Sequence, residues 1–195
     1  MPSITVLHLA QALERFARKK RKNGVYLHIA EESSEIAIWK DGVFALTEAI
    51  PLGGTHFTKV FENVLGMRKN TAQEFQERYF AGKLSEELRS QIKTLLAPPL
   101  NDFAALVKER LFQLNMSLPE NIWIFGKGCK VREIFEMFED DRVEKDLPFS
   151  QKPQPAFLLP KDIWNLERFP KNADPSYTGL FLLGYAEHAR EEKGY

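Results

Sequence analysis

An Asp-Gly pair set between two strand-like runs limits what this chain can fold into more than any other feature. Asp41-Gly42 follows the run 35–40, Glu-Ile-Ala-Ile-Trp-Lys, and precedes the run 43–50, Val-Phe-Ala-Leu-Thr-Glu-Ala-Ile. Glycine accepts the positive φ of a two-residue hairpin turn, so the two runs are expected to pair antiparallel. A buried-strand pattern at 25–30, Val-Tyr-Leu-His-Ile-Ala, is joined to the second run by the polar turn Glu31-Glu32-Ser33-Ser34. Two hairpins in succession make a three-stranded antiparallel meander. It ends at Pro51-Leu52-Gly53-Gly54.

Helical periodicity dominates on both sides of the meander. Leu7, Ala10, Leu13, Phe16 and Ala17 share one helix face, with Ser3 as its cap and Asn23-Gly24 as its stop. The run Arg18 to Lys22 closes that helix. It reads first as a solvated end complementing the helix dipole, and second as a phosphate or anionic-lipid site. Beyond the meander, helices are expected at 55–65, 70–80, 84–96 and 100–114, the third ended by Pro98-Pro99. An apolar strand at 121–125 leads through Gly126-Lys127-Gly128-Cys129 to a helix at 130–138. A short strand is expected near 157–159 and a helical turn at 162–168. Asp174-Pro175 should cap a last helix at 176–192 with Leu180, Phe181, Leu183 and Gly184 on its apolar face. This order predicts an α/β fold of the ribonuclease-H-like kind, its later strands extending the sheet in parallel and its helices on both faces.

Composition narrows the function classes. The 195 residues carry 27 basic and 27 acidic side chains, so no basic surplus marks a general nucleic-acid binder. A single cysteine, Cys129, makes neither a disulfide framework nor a Cys-rich zinc site. No apolar run reaches the roughly 20 residues of a membrane helix. The first residues lack the charged-then-apolar pattern of a signal peptide, so a cytoplasmic location is expected, with the inner membrane reached through partners.

The loop positions carry a family resemblance. Residues 24–54 resemble the second half of an actin-like ATPase, most of all the FtsA cell-division family and the closely similar PilM family of type IV pilus assembly. The family pattern Asp-Ile-Gly-Gly-Gly-Thr-Thr-Asp stands here as His28-Ile29-Ala30-Glu31-Glu32-Ser33-Ser34-Glu35. Its Ile-Pro-Leu-Gly-Gly is retained as Ile50-Pro51-Leu52-Gly53-Gly54, followed by Thr58. Ala-Glu-x-x-Lys-x-x-Tyr is matched by Ala72-Gln73-Glu74-Phe75-Gln76-Glu77-Arg78-Tyr79. The adenosine-side glycine loop is matched by Gly126-Lys127-Gly128, and the closing Asp-Pro-x-Tyr by Asp174-Pro175-Ser176-Tyr177. The resemblance implies one actin-like half over 1–195, with a sheet core at 1–54 and 99–195 and an inserted helical subdomain at 55–98. The half is then either excised from a longer protein or a natural half-protein.

The departures from the pattern fall on chemistry. Phosphate-loop glycines let backbone amides close on phosphate oxygens, and Ala30, Glu31 and Glu32 replace them. Two carboxylates repel a triphosphate unless magnesium lies between. The family aspartate that orients metal-bound water is His28, the nucleoside-side Glu and Lys are Gln73 and Gln76, and a loop glycine is Lys127. The expectation is a non-catalytic adaptor that binds protein partners of a membrane-associated machine and holds no cofactor. The alternative is an ATPase half that binds Mg-ATP once completed by its N-terminal half.

The same residues admit two other readings. Glu31, Glu32, Glu35 and His28 form a metal or nuclease centre only if another element supplies a converging acid, with Asp174 the nearest. Bunched in one turn, they read as solvated. Cys129 paired with His28 or His188 lacks a visible oxyanion site and reads as structural. His8 and His56 read as ordinary helix or loop residues, and Trp39, Trp123 and Phe125 as core. For partners, the resemblance implies the tail of the tubulin-like protein FtsZ, with Lys59, Arg68, Lys69 and Arg78 the candidate contacts for an acidic peptide. The chain end, Ala189 to Tyr195, shows no apolar face for direct membrane insertion. Self-association is compatible with the reading, whereas actin-like filaments need surfaces from both halves.

Overall fold

Five strands form one mixed sheet in the computed structural model, which describes residues 4–139, 147–164 and 174–191. The chain opens with α1 (Ile4–Lys20) and enters the meander β1 (Gly24–Ile29), β2 (Ser34–Lys40) and β3 (Val43–Leu46). Helices α2 (Gly54–Leu65), α3 (Lys69–Phe80) and α4 (Glu86–Gln113) follow. Then come β4 (Asn121–Phe125), α5 (Glu133–Glu139), β5 (Gln154–Phe157), α6 (Pro160–Ile163) and α7 (Thr178–Glu191). The strand order is β3-β2-β1-β4-β5. The meander is antiparallel, and β4 and β5 extend the sheet in parallel.

The Asp41-Gly42 turn has the geometry its sequence demands, with φ of 50° and 90°. Its carboxylate and amide are tied to the Asn23 side chain at 2.9 and 3.1 Å. The third strand is shorter than expected. Ala37 pairs with Leu46, but Ser34 pairs with Ile50, so one extra residue sits on the outer strand. That bulge turns Glu48 and Ala49 outward and buries Ile50 completely.

Alternation along the strands gives the sheet two packed faces. Val25, Leu27, Ile29, Ile36, Ile38, Ile122 and Ile124 face α2 to α5, where Phe57, Phe61 and Phe103 complete the core. Tyr26, Ala37, Trp39 and Phe125 face the other way, against Leu13, Phe16 and Leu182. The tryptophan at 39 and the phenylalanine at 125 are thus core, as their apolar settings predict.

Other elements also differ from the periodicity reading: β5 lies at Gln154–Phe157 rather than 157–159, and α6 spans Pro160–Ile163, with Trp164 already extended. Residues 84–114 do not break at Pro98-Pro99, because α4 runs through them as one helix capped by the Ser85 hydroxyl. Each interior proline costs about 3 kcal/mol. Ile92, Leu96, Leu100, Phe103, Val107 and Leu111 are buried on one continuous stripe, each worth about 1.5–3 kcal/mol, and that stripe prevails. Pro98 lies on the exposed side. The helix expected at 130–138 is preceded by a tight turn at Lys127–Lys130 and starts at Glu133, because Val131 is extended and buried. On α7, Leu180 is 67 % exposed; Leu182 and Tyr185 are buried in the cluster shared with α1, Phe181 and Leu183 pack at its edge, and the buried Thr178 hydroxyl donates to the Leu158 carbonyl. The Ser3 cap, residues 165–168 of the expected helical turn and residues 192–195 lie outside the described residues.

Replacing Phe103 by Ala is expected to destabilise the chain by about 3–5 kcal/mol in urea unfolding. A loss that large would show that α4 beyond the prolines belongs to the same cooperative core as the sheet.

Candidate functional site

Parallel neighbours deliver their following loops to the same end of a sheet, and here those loops are 30–33 after β1 and 126–128 after β4. Between them, α2, α3 and the turn before α7 lies a cavity of about 460 Å³. Glycine builds its floor. A Cβ on Gly54 would sit 2.8 Å from Gly128 Cα, and one on Gly128 would sit 2.5 Å from Ile29 Cγ2. One on Gly53 would meet the Glu31 carbonyl at 2.6 Å. Gly126 has φ of 103° and lies against the Ile29 carbonyl.

The amides at the start of α2 are already engaged. Gly54 N–H donates to the Ala30 carbonyl at 2.9 Å and Thr55 N–H to the Glu31 carbonyl at 2.8 Å. Gly126 N–H donates to the Pro175 carbonyl at 3.2 Å, and Ala30 N–H to the Ser33 carbonyl at 2.9 Å. In an anion site such amides point at the ligand. Here they hold the loops to one another.

Side chains close the space above. Lys127 Nζ donates to Glu31 Oε1 at 2.7 Å, joining the two loops across the cleft. The hydrogen bond and charge of Lys127 hold the Glu31 carboxyl below its ordinary range, and Glu31 in turn raises the Lys127 ammonium. Lys130 pairs with Asp174 at 2.5 Å. Burial pushes the Asp174 carboxyl up, but hydrogen bonds from Lys130 and Ser176 outweigh it and leave it lowered. Thr55 donates to Glu32 at 3.2 Å and Thr58 to Gln76 at 2.6 Å.

Of the residues singled out in the sequence, Glu31, Glu32, Gly54, Gln73, Gln76, Lys127 and Gly128 line the cavity, and so does Lys69. Ala30, Ser33, Gly53 and Gly126 shape its loops from behind, and the Ser34 hydroxyl is buried on the Leu52 carbonyl at 2.7 Å. His28 stands elsewhere. It alternates with Leu27 and Ile29, faces α1 and stacks on Phe125 at 5.0 Å. Glu35 lies beside it, 3.9 Å away, so the acids bunched at 31–35 diverge to opposite faces of the sheet. Lys59 and Arg68 are not among the cavity-lining residues, and Arg78 borders a second groove with Lys83 and Phe157. Sequence reasoning missed Lys130, Glu62 and Glu77. Glu62 had a signal, since it follows Thr58 at helical i+4 spacing on α2. Lys130 had none until the fold set it against Asp174.

Cys129 is fully buried, and burial pushes its thiol up to about 12. It is a packed, protonated side chain. The side chain of His188 lies outside those described. Among the described residues, no group of three or more His, Cys, Asp or Glu is placed to hold a metal ion, and no helix is long and apolar enough to cross a membrane.

No family model matches the chain, and no curated protein matches its sequence. Solved structures do match. The PilM–PilN type IV pilus biogenesis complex aligns with a TM-score of 0.61 and 19% identity, over 94% of this chain and 52% of that one. The ethanolamine utilization protein EutJ from Carboxydothermus hydrogenoformans aligns at 0.53 with 20% identity, over 73% of this chain and 50% of that one. The fold is that of the actin-like ATPases. Component A of the Acidaminococcus fermentans (R)-2-hydroxyglutaryl-CoA dehydratase aligns at 0.50 with 10% identity, over 93% of this chain and 69% of that one. The chain thus spans about half the length of PilM and EutJ, and the cavity stands beyond the strand ends where such sheets place ligands.

Three outcomes test this geometry. Gly128→Ala is expected to destabilise by about 1–3 kcal/mol in urea unfolding, because the buried Ile29 side chain at 2.5 Å and the Gly54 backbone at 2.8 Å both oppose the new methyl. Cys129 should resist a thiol reagent in the native chain and react once the chain is unfolded; rapid native labelling would contradict its burial. A lowered carboxyl contributes stability above its unfolded value and loses it as pH falls through the folded one. Asp174→Asn is therefore expected to flatten the acid limb of the stability curve below about pH 4, as read by thermal melts across pH.

Proposed function

We propose that this chain is a non-catalytic adaptor of the PilM and FtsA kind, acting through protein contacts rather than nucleotide turnover. The observation that carries the reading is the Glu31–Lys127 pair. It sets a carboxylate and its own counter-ion where the family pattern places phosphate-binding glycines. The engaged amides of Gly54, Thr55 and Gly126 support it, since they leave those donors serving the fold. Gln73 and Gln76 support it too, being neutral where the pattern has a charged pair. The likeness to PilM in its complex with PilN supports a protein partner in a pilus-type machine. The helices at 55–98, with Lys59, Arg68, Lys69 and Arg78, are the candidate docking subdomain, and the FtsZ tail is the candidate division partner.

A second reading draws on the coverage of 52% of the PilM chain. In it, a further domain supplies the other wall of the cleft, and Mg-ATP binds only to the longer protein.

Thermal melts with Mg-ATP separate these readings. Nucleotide bound at a hundredfold excess over Kd would raise the melting temperature by about 5–10 °C. The expected result is no shift, for this chain and for any longer form containing it. A shift in the longer form alone would support the second reading, and a shift in this chain would overturn the first. Fluorescence anisotropy of a labelled FtsZ tail peptide then tests the partner. Saturable binding that is lost on charge reversal of Lys69 or Arg78 supports the division version. Absence of binding to about millimolar, roughly 4 kcal/mol, removes it in favour of a pilus-type partner.

A further inference from the structure

The end of the sheet opposite the cavity carries a surface that the adaptor reading leaves unused. There β1 begins and β2 ends, with Gly24 opposite Trp39. The last turn of α1 and the turn after it present Arg18, Lys19, Lys20, Arg21 and Lys22 in unbroken succession, the first four exposed. In a chain of zero net charge, five adjacent cations are a local excess.

The cluster is built onto the fold rather than trailing from it. The Arg18 guanidinium lies 5.7 Å from the Trp39 ring centroid, Lys19 Nζ 5.5 Å from Tyr185 and Lys22 Nζ 4.5 Å from Trp123. Contacts of this kind hold the stems of long cationic side chains in place. The turn is anchored as well, through the paired hydrogen bonds of Asn23 with Asp41. Among the described side chains, the carboxylates beside the cluster are both engaged, Glu14 with Arg18 at 2.6 Å and Asp41 with Asn23. Val43, directly after the same hairpin turn, is 57 % exposed and adds an apolar contact at this end.

We propose that this basic end is a docking site for an anionic phospholipid surface. Four to eight clustered Lys and Arg side chains are the pattern that binds acidic headgroups. Single-stranded nucleic acid needs exposed rings for base stacking, whereas Trp39 and Tyr185 are buried beneath their cations at 5 % and 6 % exposure and Trp123 is half-buried under Lys22. Docking by this end sets the cavity and the α2–α3 helices on the far side of the sheet, facing away from the bilayer. The inference stands on this surface alone and does not depend on whether the cleft binds nucleotide.

Flotation of the full chain with phosphatidylcholine vesicles, with and without phosphatidylglycerol, tests it. The chain is expected to float with the anionic vesicles at low salt, to stay down with the neutral ones, and to be released by raised salt. Lys20 and Arg21 make none of the ring contacts described, so Lys20→Gln and Arg21→Gln should leave the melting temperature unchanged. Each should weaken binding by about fivefold. Lys20→Arg should keep it, and Lys69→Gln, at the opposite end, should not affect it. Equal flotation with neutral vesicles, or undiminished binding by the Lys20→Gln, Arg21→Gln double variant, would overturn the proposal. So would failure to float while a labelled polyglutamate peptide binds saturably, which would assign the surface to an acidic protein.

Discussion

The backbones of Gly54 and Gly128 touch, and much of the molecule is arranged around that contact. It joins the first turn of α2 to the loop leaving β4, while Gly54 and Thr55 amides join the same turn to the loop leaving β1. Three elements separate in sequence thereby share one rigid floor. No side chain at positions 31, 32, 73, 76 or 127 takes part in the glycine contact itself. The architecture of the cleft is therefore separable from its chemistry. Substitutions at those lining positions are expected to leave the floor intact, whereas a single methyl on the floor is not. The same separation lets Ile50-Pro51-Leu52-Gly53-Gly54 stand unchanged beside a loop that carries Glu31 and Glu32.

What was legible in the sequence follows from whether the deciding physics is local. Asp41-Gly42 fixes its turn from two residues, so the hairpin and the meander could be read directly. The apolar runs at 121–125 and 25–30 declared buried strands without needing partners. Pro98-Pro99 misled because a local rule, the missing amide, was outweighed by a buried stripe extending from Ile92 to Leu111. The face of α7 was misjudged for a related reason. Leu180 and Leu182 are equally apolar, and the position of α1 decides which is covered. The bulge before Ile50 left no sequence mark beyond the proline after it.

The site shows the same division. The residues at the two loops could be named in advance because motif order places them. Their pairing could not, because Lys127 and Glu31 are 96 residues apart and meet only once β1 and β4 lie side by side. His28 illustrates the converse. Its place in the motif pointed to the cleft, but strand alternation turned its ring to the α1 face, where Phe125 stacks on it.

The two prolines of α4 have an outcome of another kind. Pro98 and Pro99 have no N–H, so the carbonyls of Thr94 and Leu95, one turn earlier, receive no i+4 helical donor. Thr94 is exposed and Leu95 half-covered, which gives water access to that stretch of the helix. A dry apolar surface laid across it would strand two acceptors at the cost of buried unsatisfied groups. This stretch of α4 is thus fitted to remain an outer wall. A macromolecule that covered it would have to bring hydrogen-bond donors of its own.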